Sequence, residues 1–262
     1  MKPTLTINDV HLWATKPKEI SNPELLKRYQ GLLNDEELHK QQRYRFKKDQ
    51  HSALITRAFV RDILSQYTEE DPAEILFSKG NHGKPELKSN NSHIQFNISH
   101  TRGLIICAVT LHDEVGCDVE DIHRNSDVLA IANRYFSEQE ITQLFLLPTE
   151  QLRSRFFDLW TLKESYIKAW GLGLAIPLAD FSFHIDPTSA SPHTINTNIS
   201  LSFASHRNDH ADHWSSWLLY PNDEYRIALS IKNKGHHELR KTLTCFKSTP
   251  LVCAEKIQIT SI

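Results

Sequence analysis

Apolar and polar positions recur along this chain with two periods, and the period changes at marked places. From about Gln50 to Tyr67, Leu54, Ala58, Phe59 and Ile63 recur at helical spacing with Arg57 and Arg61 on another stripe, which predicts an amphipathic helix stopped by Asp71-Pro72. Ahead of it, Asn34-Asp35-Glu36-Glu37 reads as an N-cap followed by acids in a first helical turn. A longer helix is predicted from about Thr149 to Trp170, closed by Gly171 where a C-cap glycine belongs. Short apolar runs predict strands at Ile75 to Phe77, Leu104 to Leu111 and Val115 to Val119, the last two as a hairpin through His112-Asp113-Glu114. Further strands are expected at Phe181 to Ile185, Ile199 to Ala204, Ser216 to Tyr220 and Tyr225 to Ile231, and a turn over Gly80-Asn81-His82-Gly83-Lys84-Pro85. Helix then strands, twice over, predicts an α/β (α+β) chain of two similar lobes, residues 1–115 and 116–262.

Composition narrows the classes. Of 262 residues, 39% are hydrophobic and 24% charged, as in ordinary soluble domains. Thirty Lys and Arg against thirty-two Asp and Glu leave a net charge of −2, which argues against a nucleic-acid binder working through bulk charge; phosphate recognition has to be local. The longest apolar run, Leu104 to Val109, is far short of a membrane span, and the first residues are too polar for a secretory leader. The four cysteines, Cys107, Cys117, Cys245 and Cys253, have no CxxC spacing and are expected to be reduced, buried thiols of a cytoplasmic protein.

Candidate chemistry gathers on acids and a few cations. In Val115 to Glu120 the strand period puts Asp118 and Glu120 on one face, with Cys117 and Val119 turned to the core. Such a pair repels itself unless a cation sits between, and hard oxygens of this kind suit Mg²⁺; an edge strand with solvated acids is the other reading. On the aromatic helix, Glu164 and Lys168 are neighbours four apart, with Trp160 one turn earlier. They are either a surface pair beside an aromatic core or the source of a third metal ligand. Lys84 on its turn, Lys79 upstream, and Ser99-His100 at a strand end offer donors for phosphate oxygens, or are solvated and structural residues. His206, His210 and His213 have metal-like spacing but fall in a polar Asn-Asp stretch that reads as a solvated hairpin loop.

In their order and spacing, Gly83-Lys84-Pro85, Phe96-Asn97-Ile98-Ser99-His100, Val115-Gly116-Cys117-Asp118-Val119-Glu120 and Trp160-Thr161-Leu162-Lys163-Glu164-Ser165 resemble the 4′-phosphopantetheinyl transferases of the surfactin-synthetase type. The similarity runs from about Asn34 to Phe183 and takes in the tail from Tyr166 to Leu174. The resemblance implies a monomer of two lobes related by a pseudo-two-fold axis, each a small sheet on a long helix, with coenzyme A and Mg²⁺ in the cleft between them. It implies transfer of the phosphopantetheine arm to a serine hydroxyl of an apo acyl or peptidyl carrier protein, releasing adenosine 3′,5′-bisphosphate. By position, Asp118, Glu120 and Glu164 match the metal ligands, with Glu164 also the general base for the serine. Lys168 matches the lysine on the pyrophosphate. Ser99, His100 and Lys84 match nucleotide-binding positions, and Lys48 and Lys79 match groups that reach the 3′-phosphate. The chain departs from some relatives at Gln50-His51-Ser52, where they carry a basic residue. A coenzyme A-binding module without catalysis would not need the acid cluster. A metal-dependent phosphohydrolase leaves Gly83-Lys84-Pro85 and Ser99-His100 unexplained.

Overall fold

The computed structural model describes residues 2–68, 70–80, 83–88, 93–186, 192–233 and 241–262; Asn81 and His82 of the expected turn lie outside them. In order, the elements are β1 (Asp9–Thr15), α1 (Pro23–Gln30), α2 (Asp35–Gln42), α3 (Lys47–Ser65), β2 (Phe77–Lys79), β3 (Pro85–Leu87), β4 (Ile94–Thr101), β5 (Leu104–Leu111) and β6 (Glu114–Asp121). There follow α4 (Val128–Tyr135), α5 (Glu138–Phe145), α6 (Thr149–Trp170), β7 (Phe181–Ile185), β8 (Thr194–Asn196), β9 (Ile199–Phe203), β10 (Trp214–Tyr220), β11 (Tyr225–Lys232), β12 (Thr242–Thr249) and β13 (Cys253–Ile257). One sheet has the order β13-β12-β1-β5-β4 and a second β6-β11-β10-β8; β2-β3 and β7-β9 form two small ribbons.

Strand alternation stacks these sheets. Val10, Leu12 and Ala14 of β1 and Leu104, Ile106 and Ala108 of β5 share one core with Val115, Cys117 and Val119 of β6 and Leu219, Ile227 and Leu229 of the second sheet. Their opposite-face neighbours, among them Trp13, Ile105 and Cys107, pack on Leu54, Ile55, Ala58 and Phe59 of α3. On the far side, Leu218, Tyr220 and Ala228 pack on Phe156, Leu162 and Tyr166 of α6. The layers are therefore helix, sheet, sheet, helix, and both sheets are covered on both faces.

Several predicted elements hold closely. Asn34 caps α2 in a reciprocal capping box with Glu37. The long helix spans Thr149–Trp170 and ends at Gly171, whose φ of 69° is the left-handed conformation that a glycine adopts without a Cβ penalty.

Two expectations are corrected. β5 and β6 are not a hairpin: β5 pairs with β4 and β1, while β6 pairs with β11. The turn between them changes sheets, and it is pinned by the buried ion pair of Asp113 with Lys241, which also bonds the Ile7 carbonyl. Across the expected boundary at residue 115, β12 returns to pair parallel with β1 and brings β13 with it. Cys107, Cys117 and Cys245 are buried, but Cys253 is exposed on an edge strand; all four are unpaired thiols. Among the described residues no helix is long and apolar enough to cross a membrane.

The edges of the two sheets meet where β4 faces β6. Asn97 Oδ1 accepts from the Cys117 N–H at 2.9 Å, Ser99 Oγ from Val119 at 3.3 Å, and Thr101 Oγ1 from Asp121 at 3.3 Å. Side chains at every second position of β4 thus satisfy alternate amides of an edge strand, which would otherwise be left unpaired.

A buried histidine gives the fold a pH dependence. Trp13 Nε1 donates to Tyr67 Oη at 2.7 Å, so the tyrosine proton is free to go to His11 Nδ1, also 2.7 Å away, and His11 must be neutral to accept it. Burial lowers His11 from 6.5 to about 4. The unfolded chain therefore takes up the proton first. The stabilisation is complete above the unfolded value and is lost as pH falls from 6.5 towards 4, by up to about 3 kcal/mol. Urea unfolding of the wild type and of His11→Phe at pH 7.5 and 4.5 checks this: the wild type should lose more stability between the two.

Candidate active site

The packing of α6 on β6 sets the geometry of the site. Gly116, Asp118 and Glu120 occupy one face of β6, and Trp160, Glu164 and Lys168 one stripe of α6 at four-residue spacing. The two run in opposite senses: Trp160 Nε1 donates to Glu120 Oε1 at 3.0 Å, and Lys168 Nζ donates to Asp118 Oδ1 at 2.6 Å. The approach is possible because residue 116 has no side chain. A Cβ there would lie 1.9 Å from the Ser165 carbonyl oxygen and 2.3 Å from the Ala169 nitrogen. Lys163, on another side of α6, is fully buried and holds the helix to α5 and β7 through Glu140 at 2.7 Å and the Leu178 and Phe181 carbonyls.

At the centre, Asp118 Oδ1 receives both Lys168 and the Ser99 hydroxyl, at 2.6 and 2.8 Å, while Lys168 also donates to Ser99 Oγ at 3.0 Å. Asp118 Oδ2 is buried and has no hydrogen-bond partner among the described residues. Beside it, burial and then the Asp118 charge raise both Glu120 and Glu164 to about 7. Burial works to lower the Lys168 ammonium, but the Asp118 carboxylate outweighs it, and the net shift is upward. Arg124, just past β6, brings its Nε within 3.0 Å of Glu120 Oε2. Its loop is held by Arg153, which donates to the carbonyls of Ile122, Arg124 and Ser126.

This donor set fits a hard divalent cation in its chemistry: an unpartnered buried carboxylate oxygen, and two carboxyls pushed upward by burial and by a like charge. The expected triad is nevertheless not closed. Among the described residues no three His, Cys, Asp or Glu stand together as a ready ligand group. Lys168 and Arg124 neutralise Asp118 and Glu120 instead.

The other expected residues are placed as follows. His100 is exposed at the end of β4, and its imidazole is lowered by partial desolvation and by the nearby Lys168 charge. Lys84 directs its ammonium to the Val115 and Ala169 carbonyls at 3.1 and 3.0 Å, tying its turn to the start of β6 and the end of α6. Lys48 is exposed near the start of α3, over the Phe46 ring. Lys79 is exposed at the end of β2, within electrostatic reach of Glu36. Arg61 is structural: it is buried, paired to Glu37 at 2.7 Å and bonded to the Ile75 carbonyl. Of the histidine stretch, His206 pairs with Asp180 at 3.1 Å, while Asp209 is taken by Tyr166 and Trp214.

Sequence reasoning missed Trp160 and Arg124 as partners of Glu120. Arg124 carried a spacing of four, but β6 ends at Asp121 and no helix links them.

Residues 114–230 match the model of the 4′-phosphopantetheinyl transferase superfamily, and residues 20–112 that of the 4′-phosphopantetheinyl transferase N-terminal family. The 4′-phosphopantetheinyl transferase HetI of Nostoc sp. is 31% identical over 235 residues, 88% of this chain and 91% of that protein. The 4′-phosphopantetheinyl transferase Sfp of Bacillus subtilis is 34% identical over 159 residues, 60% of this chain and 69% of the relative. Among solved structures, the holo-[acyl-carrier-protein] synthase of Thermotoga maritima aligns over 46% of this chain and 63% of its own, at 23% identity and a TM-score of 0.36.

Proposed function

Since this chain belongs to the 4′-phosphopantetheinyl transferases, we propose that it moves the phosphopantetheine arm of coenzyme A onto a serine hydroxyl of an apo acyl or peptidyl carrier protein, with Mg²⁺ as the metal. The observation that carries the site assignment is Asp118, with one oxygen on Lys168 and Ser99 and the other buried without a partner beside Glu120 and Glu164. Asp118, Glu120 and Glu164 would hold the ion, which supplies charge neutralisation on the pyrophosphate oxygens.

The chain's own groups do the rest. Glu164 takes the proton of the carrier serine; its carboxyl, raised to about 7, is near the value at which a base both binds and releases a proton at neutral pH. The serine oxygen forms the new bond to the pantetheine-side phosphorus. The bond from that phosphorus to the bridging oxygen breaks, and adenosine 3′,5′-bisphosphate leaves. Lys168 is assigned to counter the charge that develops on the leaving phosphate. His100, Lys84, Lys79 and Lys48 are assigned to the nucleotide side, the last two to the 3′-phosphate. The reading makes the protein a cytoplasmic monomer, in keeping with its four unpaired thiols.

Intact mass spectrometry of an apo carrier incubated with the protein and coenzyme A tests the reading. One added phosphopantetheinyl group with Mg²⁺, and none with EDTA, is expected. No addition to several unrelated apo carriers would reject it.

A further inference from the structure

A cleft of about 700 Å³ opens between α5, α6 and the β7–β9 ribbon, and none of the candidate-site residues lines it. Its size falls in the range of small-molecule pockets. Six of its lining side chains are aliphatic and one, Phe183, is aromatic. Leu144, Leu159 and Phe183 are buried, Ile185 and Ile199 are half-buried, and Leu146 is 80% exposed at the open side. One guanidinium stands among them. Arg155 of α6 is only 15% exposed, yet among the described residues its guanidinium makes no hydrogen bond; Nε lies 4.0 Å from Asp158 Oδ2. Asp158 is committed to Arg226, which donates to it through Nε at 3.0 Å and bonds the Tyr225 carbonyl and Ser154 Oγ through Nη1 and Nη2. Two guanidinium groups thus share one carboxylate, and the excess charge and the unused N–H donors are those of Arg155.

We propose that this cleft binds a fatty carboxylate, its headgroup on Arg155 and its chain along Leu144, Leu159, Phe183 and Ile199. A carboxylate takes two parallel bonds from a guanidinium, and its one charge matches the one in excess. A phosphate monoester would bring a second charge, and among the described residues no further Lys or Arg lines the cleft to meet it. His184 turns Nε2 to Ser202 Oγ at 2.9 Å, and Asp186, the one acid of the lining, is of the opposite sign. The walls offer aliphatic surface rather than a flat aromatic stack, so the tail that fills them is a flexible alkyl chain. Each methylene moved from water into such walls strengthens binding about fourfold.

Isothermal titration of the full chain with decanoate at pH 8, below the concentration at which it forms micelles, tests the site. No coenzyme A, metal or carrier is present, so the outcome stands apart from the transferase reading. Saturation at one decanoate per chain is expected. Hexanoate, four methylenes shorter, should bind at least about 100-fold more weakly. Decyltrimethylammonium, with a cationic head on the same chain, should not bind. Arg155→Gln should weaken decanoate about tenfold or more while keeping the wild-type unfolding midpoint in urea. Arg155→Lys should recover part of that loss. Arg134→Gln, which removes an exposed guanidinium over Tyr135 on α4, should match wild type. Should Arg155→Gln not fold, Arg155→Lys and the wild-type contrast between anion and cation are read in its place. Uptake of decanoate without saturation, equal binding of the two headgroups, or an Arg155→Gln affinity equal to wild type would each overturn the proposal.

Discussion

Glu164→Gln should cut transfer to the carrier by about 10²–10⁴-fold, the range for losing a general base, and do so without weakening the fold. The amide keeps the shape of the side chain on α6 and removes only the negative oxygen. The fold gains rather than loses by that removal. Burial and the Asp118 charge raise this carboxyl from 4.5 to about 7, so ionising it costs stability as pH rises across that window. In EDTA at pH 8 the variant should unfold at the same urea concentration as wild type or a higher one. Activity lost with stability kept is the signature of a group held in place for chemistry. A variant with near-normal turnover would remove Glu164 as base and as ligand, and an early unfolding midpoint would make it structural.

Gly116→Val should have the largest effect on stability of any single change near the site. The added Cβ would meet the Ser165 carbonyl oxygen at 1.9 Å and the Ala169 nitrogen at 2.3 Å, both backbone atoms of α6 that cannot rotate away. Relief requires β6 and α6 to separate, and those two elements carry Asp118, Glu120, Glu164 and Lys168. Overpacking of this severity costs about 3 kcal/mol or more, and transfer should disappear with the lost fold. Urea unfolding followed by circular dichroism reads it directly. A midpoint equal to wild type would mean that the helix does not lie against the strand as described.

Part of the site is legible in the amino-acid sequence alone. The period of two in Val115 to Glu120 places Asp118 and Glu120 together, and the four-residue spacing of Trp160, Glu164 and Lys168 places them on one stripe. The order of the motifs supplies the family. β1 is not legible, because both of its faces are covered; Val10 to Ala14 is buried throughout and shows no alternation to read. Ser99 is legible as polar and near the site. Its bonds to Asp118, Val119 and Lys168 are not, since those partners lie on β6 and α6.

The sequence by itself determined the local elements: α2 with its capping box, α6 with its terminal glycine, and β7, β9, β10 and β11 to within two residues at each end. These depend on short-range sterics, capping bonds and the burial period, all of which are written within a few neighbouring residues. Only the tertiary structure decided that β5 and β6 belong to different sheets, that β12 closes on β1, and that Gly116 lets a helix rest on a strand. Those outcomes depend on which distant surfaces bury one another and on where every buried donor and acceptor finds its partner. That accounting closes only over the whole folded chain.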